Sequence, residues 1–198
     1  MLAKLLVLFL SFPATAFALT IEQAYEELRT KPINYTNEGM ICEQLMVLEL
    51  KEYLAPTIKR GIIYRESLTK LSRILGELDV VVFDENFERA VFVIEVKCSA
   101  KPWLVLAHAR EQLSRFRGYL GTAITLYLAS NPREVFPQEL FSDVVYLTAS
   151  VKGSKEYGYD LALSLSKEEA SELRGRLMAC QDRGECPAPI APQQVNWN

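Results

Sequence analysis

The stretch GELDVVVFDENFERAVFVIEVK, residues 76–97, decides the fold. Its two apolar runs are separated by polar, turn-forming residues, and this pattern predicts a β-hairpin. Two acids interrupt the apolar strands, Asp79 near the start of the first and Glu95 near the end of the second, and Lys97 follows Glu95 by two positions. Because burying an ionised group is costly unless it is paired or bound to a metal, these three charges indicate a functional site.

The spacing of these charges is similar to a known motif. Side chains alternate along a strand, so Glu95 and Lys97 point to the same face. An acid on one strand of a hairpin, followed by acid-x-lysine on the next, resembles the PD-(D/E)xK nuclease superfamily. Asp79 provides the first acid, and Leu78 stands where the strict motif has proline. The resemblance covers roughly residues 39–147 and implies a restriction-endonuclease-like core.

The resemblance also implies metal-dependent hydrolysis of phosphodiester bonds. Asp79 and Glu95 would bind Mg²⁺ or Mn²⁺ together with the backbone carbonyl of Val96, which suits an ion that takes one or two protein carboxylates. Such an ion neutralises developing charge and activates the attacking water. Lys97 would hold or deprotonate that water, or stabilise charge on the phosphate. Gln112, in the run AREQLSRFRGYL, resembles the glutamine of the superfamily that orients the lysine or the phosphate.

One further acid lies on a helix that precedes the hairpin. A helix is predicted from about residue 39 to residue 54, with apolar residues at helical spacing. Glu43 falls on this apolar stripe, four positions before Val47, and an acid on the buried face of a helix is unusual. We expect Glu43 to add a carboxylate beside the metal or at a second metal.

Each of these residues also has a structural interpretation. Glu95 and Lys97 would then form a solvent-facing ion pair on an edge strand, and Asp79 would cap the entrance of its strand. Glu43 and Gln112 would then be ordinary surface residues of their helices. Glu77 is equally a further ligand or a salt-bridge partner. His108, the only histidine, is expected at the surface or in a groove and not as a catalyst.

The order of predicted elements defines the fold class. Helix, three strands, helix and further strands predict an α/β fold with a mixed central sheet flanked by helices. The further strands are expected at residues 123–129 and 144–147, with residues 132–141 between them. A capping box at Thr20 and Gln23 opens the first helix, and the last helix is expected over residues 167–179. Residues 19–182 form one predicted nuclease-like domain, followed by a flexible proline-rich tail, residues 183–198.

The first 18 residues predict a secretory signal peptide. Lys4 precedes an apolar run, and Ala16-Phe17-Ala18 is a cleavage site of the A-x-A type. A membrane anchor is the competing interpretation, but the apolar stretch is too short to span a bilayer and contains Pro13. The processed chain is therefore expected to be periplasmic or secreted, without a membrane attachment.

Four cysteines in an exported chain are compatible with two disulfides. Cys180 and Cys186 are close in sequence and form the first expected pair. Cys42 and Cys98 form the second, which would tether the helix of Glu43 to the strand of Lys97. On an ideal strand Cys98 faces away from Lys97, so this second pair is expected to depend on twist at the strand end.

Charge and absent motifs narrow the function. One of the 22 basic residues, Lys4, lies in the predicted signal peptide, so the processed chain has 21 basic and 25 acidic residues. This acidic balance argues against a protein that coats nucleic acid non-specifically. The sequence contains no G-x-S-x-G elbow, no HExxH or CxxC and no phosphate-binding glycine loop. The expected function is an exported nuclease acting on nucleic acid, with DNA taken ahead of RNA. The alternative is an exported binding or structural protein that keeps the nuclease fold without catalysis.

Overall fold

The computed structural model describes residues 19–53, 57–67, 73–84 and 86–190. The predicted signal peptide, residues 1–18, lies outside these ranges, and so does the end of the predicted tail, residues 191–198. The described helices are α1 (Ile21–Leu28), α2 (Glu38–Tyr53), α3 (Pro102–Tyr119) and α4 (Lys167–Asp182). Two short 3-10 helices, Gln138–Phe141 and Ser154–Tyr157, accompany them.

Seven described strands form one mixed sheet. They are β1 (Ile58–Glu66), β2 (Ile74–Phe83), β3 (Ala90–Lys97), β4 (Ile124–Leu128), β5 (Asn131–Phe136), β6 (Val145–Ser150) and β7 (Leu161–Ala162). Their order across the sheet is β5-β4-β1-β2-β3-β6-β7. The pairs from β5 to β3 are antiparallel, whereas β3 pairs with β6, and β6 with β7, in parallel. The predicted α/β class with a mixed sheet flanked by helices is confirmed.

Strand β5 corrects the expectation for residues 132–141. That segment was expected to lie between strands, but Asn131–Phe136 pairs with β4 at the edge of the sheet. The segment contains Pro132, and proline cannot donate a hydrogen bond to a neighbouring strand. An edge strand tolerates proline, since one side of its backbone has no partner strand.

Two hydrophobic cores lie on the two faces of the sheet. The first is built by α1, α2 and α4 and includes Ile41, Leu45, Val80, Ile94 and Leu173. The second lies under α3 and includes Val81, Val93, Leu113, Phe116 and Leu126. On β3, Glu95 and Lys97 therefore share the face of Val93 and point towards α3.

The sheet changes face at Asp79. Leu78 packs in the second core and Val80 in the first, although alternate positions of a regular strand share a face. The pairing of β1 with β2 includes the positions on either side of Gly61 and Asp79 but omits these two residues. Gly61 has a φ of 71°, a conformation that glycine adopts at little cost. This break in the ladder places an acid where the sheet changes face.

Both predicted disulfides are confirmed. The Cα atoms are 5.6 Å apart in the pair Cys42–Cys98 and 5.3 Å apart in the pair Cys180–Cys186. The expected strand-end twist is not needed for the first pair. Cys98 packs against the core beneath α2, the face opposite Lys97, so simple alternation directs it towards Cys42. Two disulfides are typical of extracellular or periplasmic proteins.

The ends of the described chain are anchored by local contacts. The predicted capping box is present at the start of α1, with Thr20 and Gln23 exchanging both hydrogen bonds. Beyond α4, Cys186 is buried, and the amide of Ile190 donates to the carbonyl of Pro32 at 3.1 Å. The predicted tail is thus attached to the loop after α1 as far as residue 190. None of the described helices has the length and hydropathy needed to cross a membrane.

Candidate active site

Asp79 lies where strands β2 and β3 separate. The antiparallel register pairs Val80 with Ile94, and its continuation would place Asp79 opposite Glu95, but the strands stop pairing before that position. Instead, the backbone N–H of Val96 donates to Oδ2 of Asp79 at 2.7 Å. The carboxylate therefore substitutes for a main-chain acceptor and is held between the two strands.

Glu95 and Lys97 form a buried ion pair on β3. Oε1 of Glu95 lies 2.6 Å from Nζ of Lys97, and their side chains are 2% and 20% exposed. The alternative of a solvent-facing pair on an edge strand is wrong, because β3 lies between β2 and β6. A charged pair in the interior of a central strand is costly to bury and needs compensating partners.

Glu43 reaches the same region from α2. Its Oε2 accepts a hydrogen bond from Nη1 of Arg60, on β1, at 2.8 Å. The interpretation of Glu43 as a surface acid is wrong, since its side chain is only 13% exposed. Glu77, on β2, places its Oε1 beside Gly61. A Cβ atom added to Gly61 would lie 2.9 Å from that oxygen. Both acids therefore lie near the break in the β1–β2 ladder.

The carboxyl groups of the site perturb one another. Burial, followed by repulsion from Glu95 and Glu43, raises the pKa of Asp79 well above its usual range. Burial also raises the pKa of Glu95, and Lys97 acts against this shift. For Glu77, burial of the carboxylate and repulsion from Glu43 raise the pKa. Such shifts concentrate at functional sites, because binding and catalysis need groups in unusual protonation states.

The site has an excess of negative charge. When all groups are ionised, four carboxylates face two cations: Glu43, Glu77, Asp79 and Glu95 against Arg60 and Lys97. An acidic cluster of this kind attracts a cation, and hard oxygen ligands favour Mg²⁺, Mn²⁺ or Ca²⁺.

The donor set fits a small divalent cation. Among the described residues, no three His, Cys, Asp or Glu side chains are arranged to hold a metal by themselves. Mg²⁺ does not require three, because it commonly uses one or two protein carboxylates and keeps several waters. Asp79 and Glu95 supply two carboxylates. The expected third ligand, the carbonyl of Val96, stays a prediction, as does a metal-binding role for Glu43, which pairs with Arg60.

Gln112 presents an unsatisfied oxygen. It lies on α3, the helix that packs against β3, and its Oε1 is buried. No hydrogen-bond partner for this atom is found among the residues that the structure describes. Buried acceptors are nearly always satisfied, so this oxygen indicates a missing donor such as water or a ligand. Neither Glu95 nor Lys97 is hydrogen-bonded to it, and the predicted role of Gln112 stays a prediction.

Tyr64 and Arg115 are residues that the sequence interpretation did not select for the site. Tyr64 is buried on β1, and burial raises its pKa while Arg115 opposes the shift and Glu95 adds to it. Arg115 follows Gln112 by three positions on α3, which is the spacing that brings side chains together on one helix face. This spacing was the available signal. His108 is exposed on the same helix, as expected.

No protein-family model, curated protein or solved structure matches the chain at a significant level. The function therefore has to be inferred from the chemistry that Asp79, Glu95 and Lys97 can perform together.

Proposed function

We propose that this chain is an exported, metal-dependent nuclease of the PD-(D/E)xK type, with a restriction-endonuclease-like core, that hydrolyses phosphodiester bonds of DNA or RNA. One observation supports it above all others. Asp79, Glu95 and Lys97 come together at the break between β2 and β3, with Asp79 bonded to the amide of Val96 and Glu95 bonded to Lys97. A purely structural sheet gains nothing from two acids and a lysine at this position.

The residues have distinct roles in this proposal. Asp79 and Glu95, with the carbonyl of Val96, would hold Mg²⁺ or Mn²⁺. A bound ion supplies charge neutralisation and a water of lowered pKa. Lys97, oriented by its 2.6 Å contact with Glu95, donates to a phosphate oxygen or holds the attacking water. Gln112 uses its free acceptor to orient that water or Lys97.

The energetics of the site support a bound cation. Burial and repulsion from Glu95 raise the pKa of Asp79, and burial raises the pKa of Glu95, against which a hydrogen bond with Asp79 acts. A divalent cation held by these carboxylates would favour the ionised form of both. Strain of this kind is retained where function requires it, at the expense of stability.

Export fits the same proposal. The predicted signal peptide and the two disulfides point to a periplasmic or secreted protein acting on nucleic acid outside the cytoplasm. The pair Cys42–Cys98 connects residues adjacent in sequence to Glu43 and Lys97, so it joins two walls of the site.

A second candidate is an exported binding or structural protein that keeps the fold without catalysis. The ion pair between Glu43 and Arg60 favours it, because a cation of the protein already neutralises one of the four acids. The two candidates differ in one measurable property, which is cleavage that depends on a divalent cation.

The test is cleavage of plasmid DNA and of structured RNA by the disulfide-bonded chain, with Mg²⁺, with Mn²⁺ and with EDTA. We expect nicking with either metal and none with EDTA. Asp79→Asn and Lys97→Ala should abolish nicking without changing the far-UV circular dichroism spectrum. Lys59→Ala is the matched control, because Lys59 also pairs with a glutamate at 2.6 Å, but its partner Glu134 lies on the edge strand β5. Full activity in EDTA, or in the variant that combines Asp79→Asn with Lys97→Ala, would overturn the proposal. Inactivity of the wild type with every metal would favour the second candidate.

A further inference from the structure

An exposed aromatic pair lies beyond the ends of β3 and β6. Trp103, in the first turn of α3, is 50% exposed, and Tyr157, at the end of the 3-10 helix Ser154–Tyr157, is 45% exposed. Their ring centroids are 5.2 Å apart, with planes inclined at 46°. Leu104 beside them is 66% exposed. Large apolar side chains that are grouped on a surface, rather than scattered, mark a binding site.

The two rings are held by the fold. The hydroxyl of Tyr159 donates to the carbonyl of Pro102 at 3.1 Å. The guanidinium of Arg110 donates to the carbonyl of Gly158 at 2.9 Å. These two bonds fasten the segment of Tyr157 to the first turns of α3, so the aromatic pair is ordered before any ligand arrives. Pre-organised rings bind with a smaller loss of conformational entropy.

The aromatic pair is close to the candidate active site along the chain. Lys97 and Ser150 are paired at the ends of β3 and β6, and Oγ of Ser150 donates to the carbonyl of Lys97 at 2.6 Å. Trp103 follows Lys97 by six positions. Six residues span at most about 20 Å, so Trp103 lies within that distance of the catalytic lysine.

The surface around the pair carries a small excess of positive charge. The segments 99–111 and 152–160 contain four exposed basic residues and three exposed acids: Lys101, Arg110, Lys152 and Lys155 against Glu111, Glu156 and Asp160. The whole chain has a net charge of −3, so this small positive excess is a local feature. A positive patch that contains aromatic side chains is complementary to an unpaired nucleic-acid strand, which offers phosphates and exposed base faces.

We propose that Trp103 and Tyr157 form a stacking platform for a base in a single-stranded segment of the nucleic acid. The inference deepens the proposed function and rests on it for the identity of the ligand. Stacking on aromatic rings tolerates any base, whereas the surrounding lysines contact phosphates. At the duplex rise of about 3.4 Å per nucleotide, 20 Å corresponds to about six nucleotides between the stacked base and the bond near Lys97.

Tryptophan fluorescence tests the platform directly. Trp103 and Trp197 are the only tryptophans of the chain, so the Trp197→Phe variant reports on Trp103 alone. It is titrated in EDTA, where no cleavage is expected, with a 12-nucleotide oligothymidine, a duplex of the same length and inorganic polyphosphate. We expect saturable quenching by the single strand, little by the duplex and none by polyphosphate. Equal quenching by polyphosphate would show that charge alone is recognised and would overturn the proposal.

Variants separate stacking from charge and from folding. Trp103→Ala and Tyr157→Ala should each weaken binding of a fluorescein-labelled 12-mer, measured by anisotropy, by about 5- to 150-fold, the range for loss of one stacked base. Both should raise KM with kcat unchanged. Val135→Ala is the control, since Val135 is 53% exposed but lies on β5, at the other edge of the sheet. Wild-type affinity in both aromatic variants would overturn the platform.

The outcomes also distinguish the two proposals. Saturable quenching without cleavage in Mg²⁺ or Mn²⁺ would support the platform and overturn the nuclease. Cleavage of a single strand that leaves Trp103 fluorescence unchanged would support the nuclease and overturn the platform. Self-association that is lost in Trp103→Ala, in a chain that shows no quenching, would mean that a second copy covers the pair, and it would also overturn the platform.

Discussion

The carboxylate of Asp79 accepts a hydrogen bond from the backbone amide of Val96, 2.7 Å away, at the point where β2 and β3 stop pairing. The bond satisfies an amide that the broken ladder leaves without a strand partner. An asparagine side chain offers the same acceptor without the charge. Asp79→Asn is therefore a substitution that removes the repulsion with Glu95 while keeping the strand geometry.

The first prediction concerns pH. The pKa of Asp79 is raised in the folded chain, chiefly by burial, so its stabilising contribution is complete below the ordinary aspartate value of about 3.9 and is lost as pH rises through the folded pKa. In EDTA, Asp79→Asn should be more stable than the wild type at pH 8, by on the order of 1 kcal/mol, and nearly equal at pH 4. Urea unfolding at both pH values measures this difference. An equal difference at pH 4 and pH 8 would contradict the prediction.

The second prediction concerns metal binding. A ligand that binds only the folded state at 100 times its Kd adds about 2.7 kcal/mol of stability, or about 5–10 °C in Tm for a chain of this size. Mg²⁺ or Mn²⁺ at millimolar concentration should therefore raise the Tm of the wild type but not of Glu95→Gln. Differential scanning calorimetry measures both. Glu134→Gln, which removes the partner of Lys59 on the edge strand β5, should respond like the wild type. Equal shifts in Glu95→Gln and wild type would argue against a metal at this site.

The third prediction concerns the ion pair between Arg60 and Glu43. Both side chains are mostly buried, so Arg60→Gln should destabilise the fold by about 1–3 kcal/mol by leaving a carboxylate without its partner. Adding Glu43→Gln should recover part of this loss, and a double-mutant cycle from urea unfolding gives the coupling. The comparison cycle uses Lys59 and Glu134, whose side chains are each 29% exposed. For this pair we expect a coupling free energy under about 1 kcal/mol. Equal couplings in the two cycles would contradict the assignment.

The fourth prediction compares the two disulfides. Cys42 and Cys98 are 56 positions apart, and Cys180 and Cys186 are 6 apart. Loop-closure entropy then predicts losses of about 4 and about 2 kcal/mol when each pair is replaced by serines. Only the first replacement should also reduce kcat in the folded chain, because it releases the helix of Glu43 from the strand of Lys97.

Urea unfolding and cleavage assays at a temperature where both variants are folded provide the measurements for this comparison. The variant without the pair Cys180–Cys186 is the control for loss of a disulfide as such. Unchanged kcat in the variant without the pair Cys42–Cys98 would show that this bond stabilises the chain without organising the site.

Local sequence patterns were sufficient for the central motif. The hairpin spacing and the alternation of side chains predicted that Asp79 lies beside the strand of Glu95 and Lys97, and the structure brings these residues together. The capping box at Thr20 was predicted for the same reason, since it involves atoms only three residues apart. Cys180 and Cys186 are also near neighbours in the chain.

Only the tertiary structure decided which distant groups share the site. The partner of Glu43 is Arg60, 17 positions away on another element, and no periodicity links a helix to a particular strand residue. Cys98 reaches Cys42 by simple strand alternation because α2 packs on the face of the sheet to which Cys98 points. Neither segment by itself shows which face α2 covers. Parallel pairing with β6 made β3 a central strand and buried Glu95.

The physical reason is the range over which each interaction acts. Periodicity, turns and caps involve neighbouring residues, so sequence alone predicted most of the elements, strand β5 excepted, and the positions of Asp79, Glu95 and Lys97 on them. The break at Gly61 and Asp79 accompanies a change of face, since Leu78 packs in the second core and Val80 in the first. Both cores form only when the helices pack on the sheet. The tertiary structure therefore decided which charged groups are neighbours in the site.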